Sequence, residues 1–122
     1  MKIIITTTSA TIESEVDPHF GRGAYFLTTD TDTLQWEAQP NPGASAPGGA
    51  GTLAAQFVAN QHAETVISGD FGPNAYGALK ATGVAMYLFG ASTTVREAIE
   101  RFKAGQLERV GAPNSQGYHP RG

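Results

Sequence analysis

The chain opens with Ile3, Ile4 and Ile5 running into Thr6, Thr7 and Thr8, a β-branched stretch too short for a helix. Continuous rather than alternating apolar positions predict a central strand covered on both faces. Residues 9–23 are polar and broken by Pro18, Gly21 and Gly23, so they read as a loop. Two strands follow, Ala24–Thr31 and Thr33–Gln39, joined tightly at Asp30-Thr31-Asp32 as a hairpin with Trp36 packed on one face. Residues 40–51 are rich in Gly and Pro, which excludes regular structure; a loop this long inside a compact domain is mobile or functional.

Leu53, Phe57 and Val58 share one face of a helix predicted over Thr52–Gln61. Thr65–Ser68 reads as a short strand ending at Gly69. Gly72-Pro73-Asn74 is a helix start with Pro at the first position, and that helix runs to Lys80 or Ala81 and stops near Gly83. Val84–Phe89 is a further apolar strand, with Met86 in the core. The last helix has the clearest signals. Thr94 and Glu97 fit a capping box, and Val95, Ala98, Ile99 and Phe102 form an i, i+3, i+4, i+7 stripe. Glu97–Arg101 and Arg96–Glu100 are spaced for ion pairs along it, and Gly105 closes it. From Gly111 onward there is no periodicity, so the chain is divided into one domain over 1–110 and a flexible tail over 111–122.

The order β-β-β-α-β-α-β-α implies an α/β fold, a mixed sheet with helices on its faces. Right-handed crossovers set strands one, four and five parallel, with strands two and three beyond strand one. The expected architecture is a ribonuclease-H-like, five-stranded sheet of order 3-2-1-4-5, strand two antiparallel, flanked by three helices.

Composition narrows the chemistry. The 122 residues include fifteen Gly and no Cys. The absence of cysteine excludes disulfides, thiolate zinc sites, all-Cys iron–sulfur clusters and a Cys nucleophile. A formal charge of −3 argues against general nucleic-acid binding. That charge is uneven: eight acids face only Lys2 and Arg22 over residues 1–79, while six bases face three acids over residues 80–122. The basic excess follows the last helix and the tail and reads as a solvated helix face. No apolar run reaches membrane-spanning length, and the N-terminal apolar run turns polar at Thr6, too soon for a signal-peptide core, so a soluble cytoplasmic protein is expected.

In open α/β sheets, ligands gather beyond the carboxyl ends of the parallel strands. Four loops and three helix N-termini, near Thr52, Pro73 and Thr94, are expected at that edge, one of the loops being Gly90-Ala91-Ser92-Thr93 after the fifth strand. The loop after the first strand brings His19, Phe20, Gly21 and Arg22. The Gly/Pro loop brings Gly49 and Gly51, and the loop after the fourth strand brings Gly69, Asp70, Gly72 and Asn74. Helix N-termini offer unpaired N–H groups and partial positive charge, so the edge suits a compact anion. Imidazole is the best transition-metal ligand left in a chain without cysteine; His62, at a helix end, reads as a surface cap and His119 lies in the tail. A lone loop histidine or Asp70 also has a plainer reading, as solvated surface or helix cap. No P-loop, dinucleotide fingerprint or nucleophile elbow is present, and Asp30 and Asp32 lie away from the ligand edge, which argues against a two-metal nuclease.

Asp17-Pro18-His19-Phe20-Gly21-Arg22-Gly23-Ala24-Tyr25-Phe26 resembles the first signature of the dinitrogenase iron–molybdenum cofactor biosynthesis family. Gly72-Pro73-Asn74-Ala75-Tyr76 with Ala78, Leu79, Lys80, Ala81 and Gly83 resembles its second, and Thr94–Ala98 with Phe102 and Gly105 its last helix. The likeness runs in order from residue 1 to about 107. The resemblance, to nitrogenase accessory factors and small stand-alone members, implies a ribonuclease-H-like fold and a carrier or assembly role without catalysis. The implied ligand is an anionic metal–sulfur cluster, of the molybdenum–copper sulfide or iron–molybdenum type. It is a group that need not accompany the isolated protein. His19 then stands as its metal ligand, and Arg22 and the glycine loops as its cradle. The implied partners are the cluster and a protein that donates or accepts it, with neither nucleic acid nor membrane. Two other readings stand beside this one: a regulatory or interaction module of the same fold that binds no cluster, and a hydrolase acting on a small anion.

Overall fold

The computed structural model describes residues 1–114; residues 115–122, the part of the expected tail that holds His119, lie outside them. The strands are β1 (Lys2–Thr7), β2 (Tyr25–Asp30), β3 (Trp36–Pro40), β4 (Thr65–Ser68), β5 (Ala85–Leu88) and β6 (Glu108–Arg109). The helices are α1 (Ala50–Asn60), α2 (Pro73–Ala81) and α3 (Val95–Lys103). Sheet order is β3-β2-β1-β4-β5-β6, with β1, β4 and β5 parallel and β2 antiparallel to β1. This is the expected order with one addition: β6 pairs antiparallel with β5 through Tyr87–Arg109 and Leu88–Glu108. Among the described residues no helix is long and apolar enough to cross a membrane.

β1 carries the fold's logic. Its isoleucines are fully buried, and alternation sends Ile4 to one face of the sheet and Ile3 and Ile5 to the other. Ile4 joins Phe26, Val66 and Met86 beneath α1 and α2, which contribute Ala54, Val58, Ala75 and Leu79. Ile3 and Ile5 join Leu27 and Ile67 beneath Val95, Ala98 and Ile99 of α3. A strand between two helical layers has no polar face, which is why its apolar run is unbroken.

Several local expectations are corrected. The hairpin turn is longer than drawn, because Asp30 Oδ1 accepts the N–H groups of Asp32 and Thr33 and Leu34 takes a positive φ of 60°. Trp36 lies on the edge strand and is 41% exposed rather than packed away. Helix α1 starts two residues early, at Ala50, with Gly49 in the left-handed region (φ 68°) as its N-cap. On α3, Arg96 pairs with Glu13 at 2.6 Å, and Glu97 is occupied with capping.

Candidate functional site

A cleft of about 550 Å³ opens at the carboxyl end of β1 and β4. It is lined by His19, Gly21, Arg22, Pro47, Gly48, Gly49, Ala50, Gly51, Asp70, Gly72, Asn74 and Ala75. Eight residues expected at this edge therefore come together here: His19, Gly21, Arg22, Gly49, Gly51, Asp70, Gly72 and Asn74. Phe20 and Gly69 do not line it. Phe20 is buried between Phe26 and Phe71, with ring centroids 5.5 and 5.4 Å away, and forms the cleft's foundation. A Cβ on Gly69 would meet Pro18 Cα at 2.6 Å, so this glycine lets the two loops touch.

The walls are N–H donors brought close by small residues. α1 and α2 each begin without a side-chain cap. Among the described residues, no acceptor takes the N–H groups of Ala50, Gly51 and Thr52 or those of Asn74 and Ala75. The two helix starts abut, because a Cβ on Gly51 would lie 3.2 Å from the Ala75 Cβ. Gly21 packs against the backbone of Gly51, and Gly43 is enclosed by the carbonyls of Gly21 and Ala50.

The third expected terminus is absent from the cleft. Residues 12–16 cross the start of α3: Val95 N–H donates to Ser14 O (2.9 Å) and Arg96 N–H to Ile12 O (3.1 Å). Glu97 N–H donates to Thr94 Oγ1 (3.2 Å), and Glu97 Oε1 accepts the N–H groups of Thr93 and Thr94. These two hydrogen bonds, first that from Thr93, hold the Glu97 carboxyl below the usual range. Every leading N–H of α3 is thus spent on protein.

The polar side chains of the cleft differ in how firmly they are held. Arg22 donates to Ala46 O (2.8 Å), tying the Gly/Pro loop shut while presenting its charge to the cavity. The His19 side chain is 66% exposed; its Nδ1 lies 3.1 Å from Asp17 Oδ1, which also accepts the His19 backbone N–H at 2.9 Å. Asp70 is bridged to this loop by its N–H on Pro18 O (2.8 Å). Burial, above all, pushes the Asp70 carboxyl above the usual carboxylate range; His19 opposes that shift and Asp17 reinforces it. Asp70 does not cap α2, whose N-cap is Gly72. Among the described residues it is the one carboxylate in a wall otherwise polar through N–H donors, the Arg22 guanidinium and the His19 imidazole.

Two residues that the sequence pattern did not single out organise these loops. Buried Asn41 donates to the carbonyls of Phe20, Gly21 and Gly23 and accepts the Gly43 N–H, joining the His19 loop to the Gly/Pro loop. Asn114 accepts the Phe71 N–H (2.6 Å) and donates to Gly69 O (3.2 Å). Tyr76 Oη donates to Gly111 O nearby (2.8 Å). An Asn-Pro pair after a strand signals a turn and an Asn in an aperiodic stretch signals nothing, so neither role was legible.

The arrangement can hold a compact anion by main-chain N–H groups, one guanidinium and one imidazole. Among the described residues no group of three or more His, Asp or Glu side chains gathers to hold a bare metal ion. A metal entering here would have to bring most of its own ligands.

Solved structures with this architecture share substantial sequence. The apo orange protein of Desulfovibrio gigas is 35% identical and superposes with a TM-score of 0.89 over 93% of this chain and 96% of its own. A putative NifB protein of Thermotoga is 32% identical, with a TM-score of 0.81 over 95% and 98%. An uncharacterized protein of Methanocaldococcus jannaschii is 29% identical over 99 residues, 79% of this chain and 83% of the relative. The family model described as dinitrogenase iron-molybdenum cofactor matches residues 1–105, and the chain belongs to that family.

Proposed function

We propose that this protein is a non-catalytic carrier for an anionic metal–sulfur cluster, of the molybdenum–copper sulfide or iron–molybdenum type, acting in cluster assembly or delivery. The observation that carries the reading is the convergence of two uncapped helix N-termini on one cleft beside Arg22 and His19. A preformed cluster brings its own sulfides, which accept N–H hydrogen bonds and carry the negative charge that helix starts favour. One imidazole, His19, supplies a bond to metal, so no cysteine is needed. Membership of a family named for the iron–molybdenum cofactor supports the class of cargo.

Adding thiomolybdate with copper, or isolated iron–molybdenum cofactor, to the metal-free protein tests this. Charge-transfer absorption that saturates at a fixed stoichiometry is expected. Failure of the wild type to bind either overturns the reading. Unchanged binding by His19→Ala removes only the ligand role of His19.

A further inference from the structure

We infer that Asp17 is the positioning residue of this cleft: it fixes His19 in the tautomer that carries its proton on Nδ1 and leaves the Nε2 lone pair free for the cargo. The inference rests on the reading of His19 as a ligand. It adds the device that prepares that ligand before any cargo arrives.

The geometry is specific. Asp17 Oδ1 lies 3.1 Å from His19 Nδ1 and 2.9 Å from the His19 main-chain nitrogen. A carboxylate oxygen only accepts, and its two lone pairs serve both donors, so the ring nitrogen facing it is the protonated one. The Asp17 side chain is only 13% exposed, whereas the imidazole it holds is 66% exposed. The carboxylate is a fixed support and the ring an available surface.

The support is itself anchored. Asp17 N–H donates to Thr6 O (2.9 Å), and the Thr6 hydroxyl donates back to Asp17 O while lying 2.8 Å from the Ser68 hydroxyl. Thr6 and Ser68 are fully buried at the ends of neighbouring strands β1 and β4. On the other side, Gly23 approaches so closely that a Cβ there would meet His19 O at 2.7 Å and Asp17 Cγ at 3.1 Å. The acceptor is therefore held to the sheet, and the imidazole is oriented by the sheet through it. A carboxylate behind a ligating imidazole fixes ring orientation and raises ligand basicity, and losing it typically weakens metal binding by about 10–100-fold.

The test reads the ring directly in the metal-free protein. Two-bond 15N–1H correlation spectra, recorded above the imidazole titration and assigned with His19→Gln, should show His19 Nδ1 protonated and Nε2 bare. This is the reverse of the tautomer that a free histidine side chain favours in water. In Asp17→Ala the pattern should move to protonated Nε2, and in Asp17→Asn, which keeps a neutral acceptor, it should fall between. If Asp17→Ala does not fold, Asp17→Asn carries the test, with a lower Nδ1-protonated fraction than wild type required. A wild-type ring protonated on Nε2, or a tautomer indifferent to residue 17, overturns the inference.

Loading with copper and thiomolybdate then separates the two ideas. Wild type that loads while a folded Asp17→Ala loads about tenfold or more weakly supports the positioning role. Equal loading by the two overturns it. Wild type that does not load overturns the cluster reading instead, while the tautomer result judges the Asp17–His19 contact by itself.

Discussion

Three helices of similar length start near one edge of this sheet, and they end their first turns in opposite ways. α3 closes itself: Thr94, Glu97 and the carbonyls of Ile12 and Ser14 take up its leading N–H groups. α1 and α2 begin on glycine and leave theirs facing the cleft. The difference separates stability from function. A capped start contributes about 1 kcal/mol to the folded state and has nothing left to offer a ligand. An uncapped start forgoes that contribution and, among the described residues, keeps N–H donors without a protein acceptor.

The contrast can be broken from either side. The largest effect should come from Gly43→Ala, whose Cβ would sit 2.5 Å from Gly21 O and 2.6 Å from Ala50 O, both main-chain atoms. It should cost about 1–3 kcal/mol in urea unfolding and abolish anion binding, because the start of α1 must move. Next, Thr94→Ala should cost about 1 kcal/mol and leave binding of thiomolybdate with copper unchanged by spectrophotometric titration. If binding falls with it, α3 is not separate from the site. Gly48→Asp should act in two directions at once. Nothing lies within 4 Å of a Cβ there, and a carboxylate before α1 should stabilise the helix by about 0.3–1 kcal/mol while weakening anion binding. A variant that gains stability and binds as before would remove the link between the two properties.

The smallest effect is in the acid limb. Glu97 is held below the usual carboxylate range in the folded protein, so it binds fewer protons there than in the unfolded chain. Its contribution is present in full above the ordinary carboxylate pKa and is lost as pH falls through its lowered folded value. Glu97→Gln should therefore reduce thermal stability at neutral pH, and the gap from wild type should close on acidification. A gap independent of pH would mean that capping by Glu97 does not depend on its charge.

Much of this was legible in the chain. β1 announced itself by three consecutive isoleucines, β4 by its bounds, and α2 by Pro73 at its first position, because these signals are local and each has one structural solution. The edge on which the loops converge followed from strand order. What escaped was set by tertiary approach. Gly-Ala-Gly at 49–51 reads as loop by intrinsic propensity, yet α1 begins there because Gly51 fits against Ala75. β6 has only two residues, too few for any period. Arg22 was expected as free charge, and its guanidinium also ties down a loop carbonyl. The exclusion of α3 from the cleft was legible only in part: its capping box spends the N–H groups of Thr94 and Glu97, whereas those of Val95 and Arg96 go to carbonyls of Ser14 and Ile12 that tertiary approach brings there.

Asn114 changes where the folding unit should be drawn. The family model ends at residue 105, yet the Phe71 N–H beneath the cleft wall finds its acceptor nine positions later. A chain cut after Val110 would keep every helix and strand of the described residues and still leave that amide and Gly69 O to solvent. For anyone grafting or trimming this protein, the boundary that preserves the secondary structure of the described residues and the boundary that preserves the 69–71 loop beside the cleft are different places. The second lies beyond Asn114.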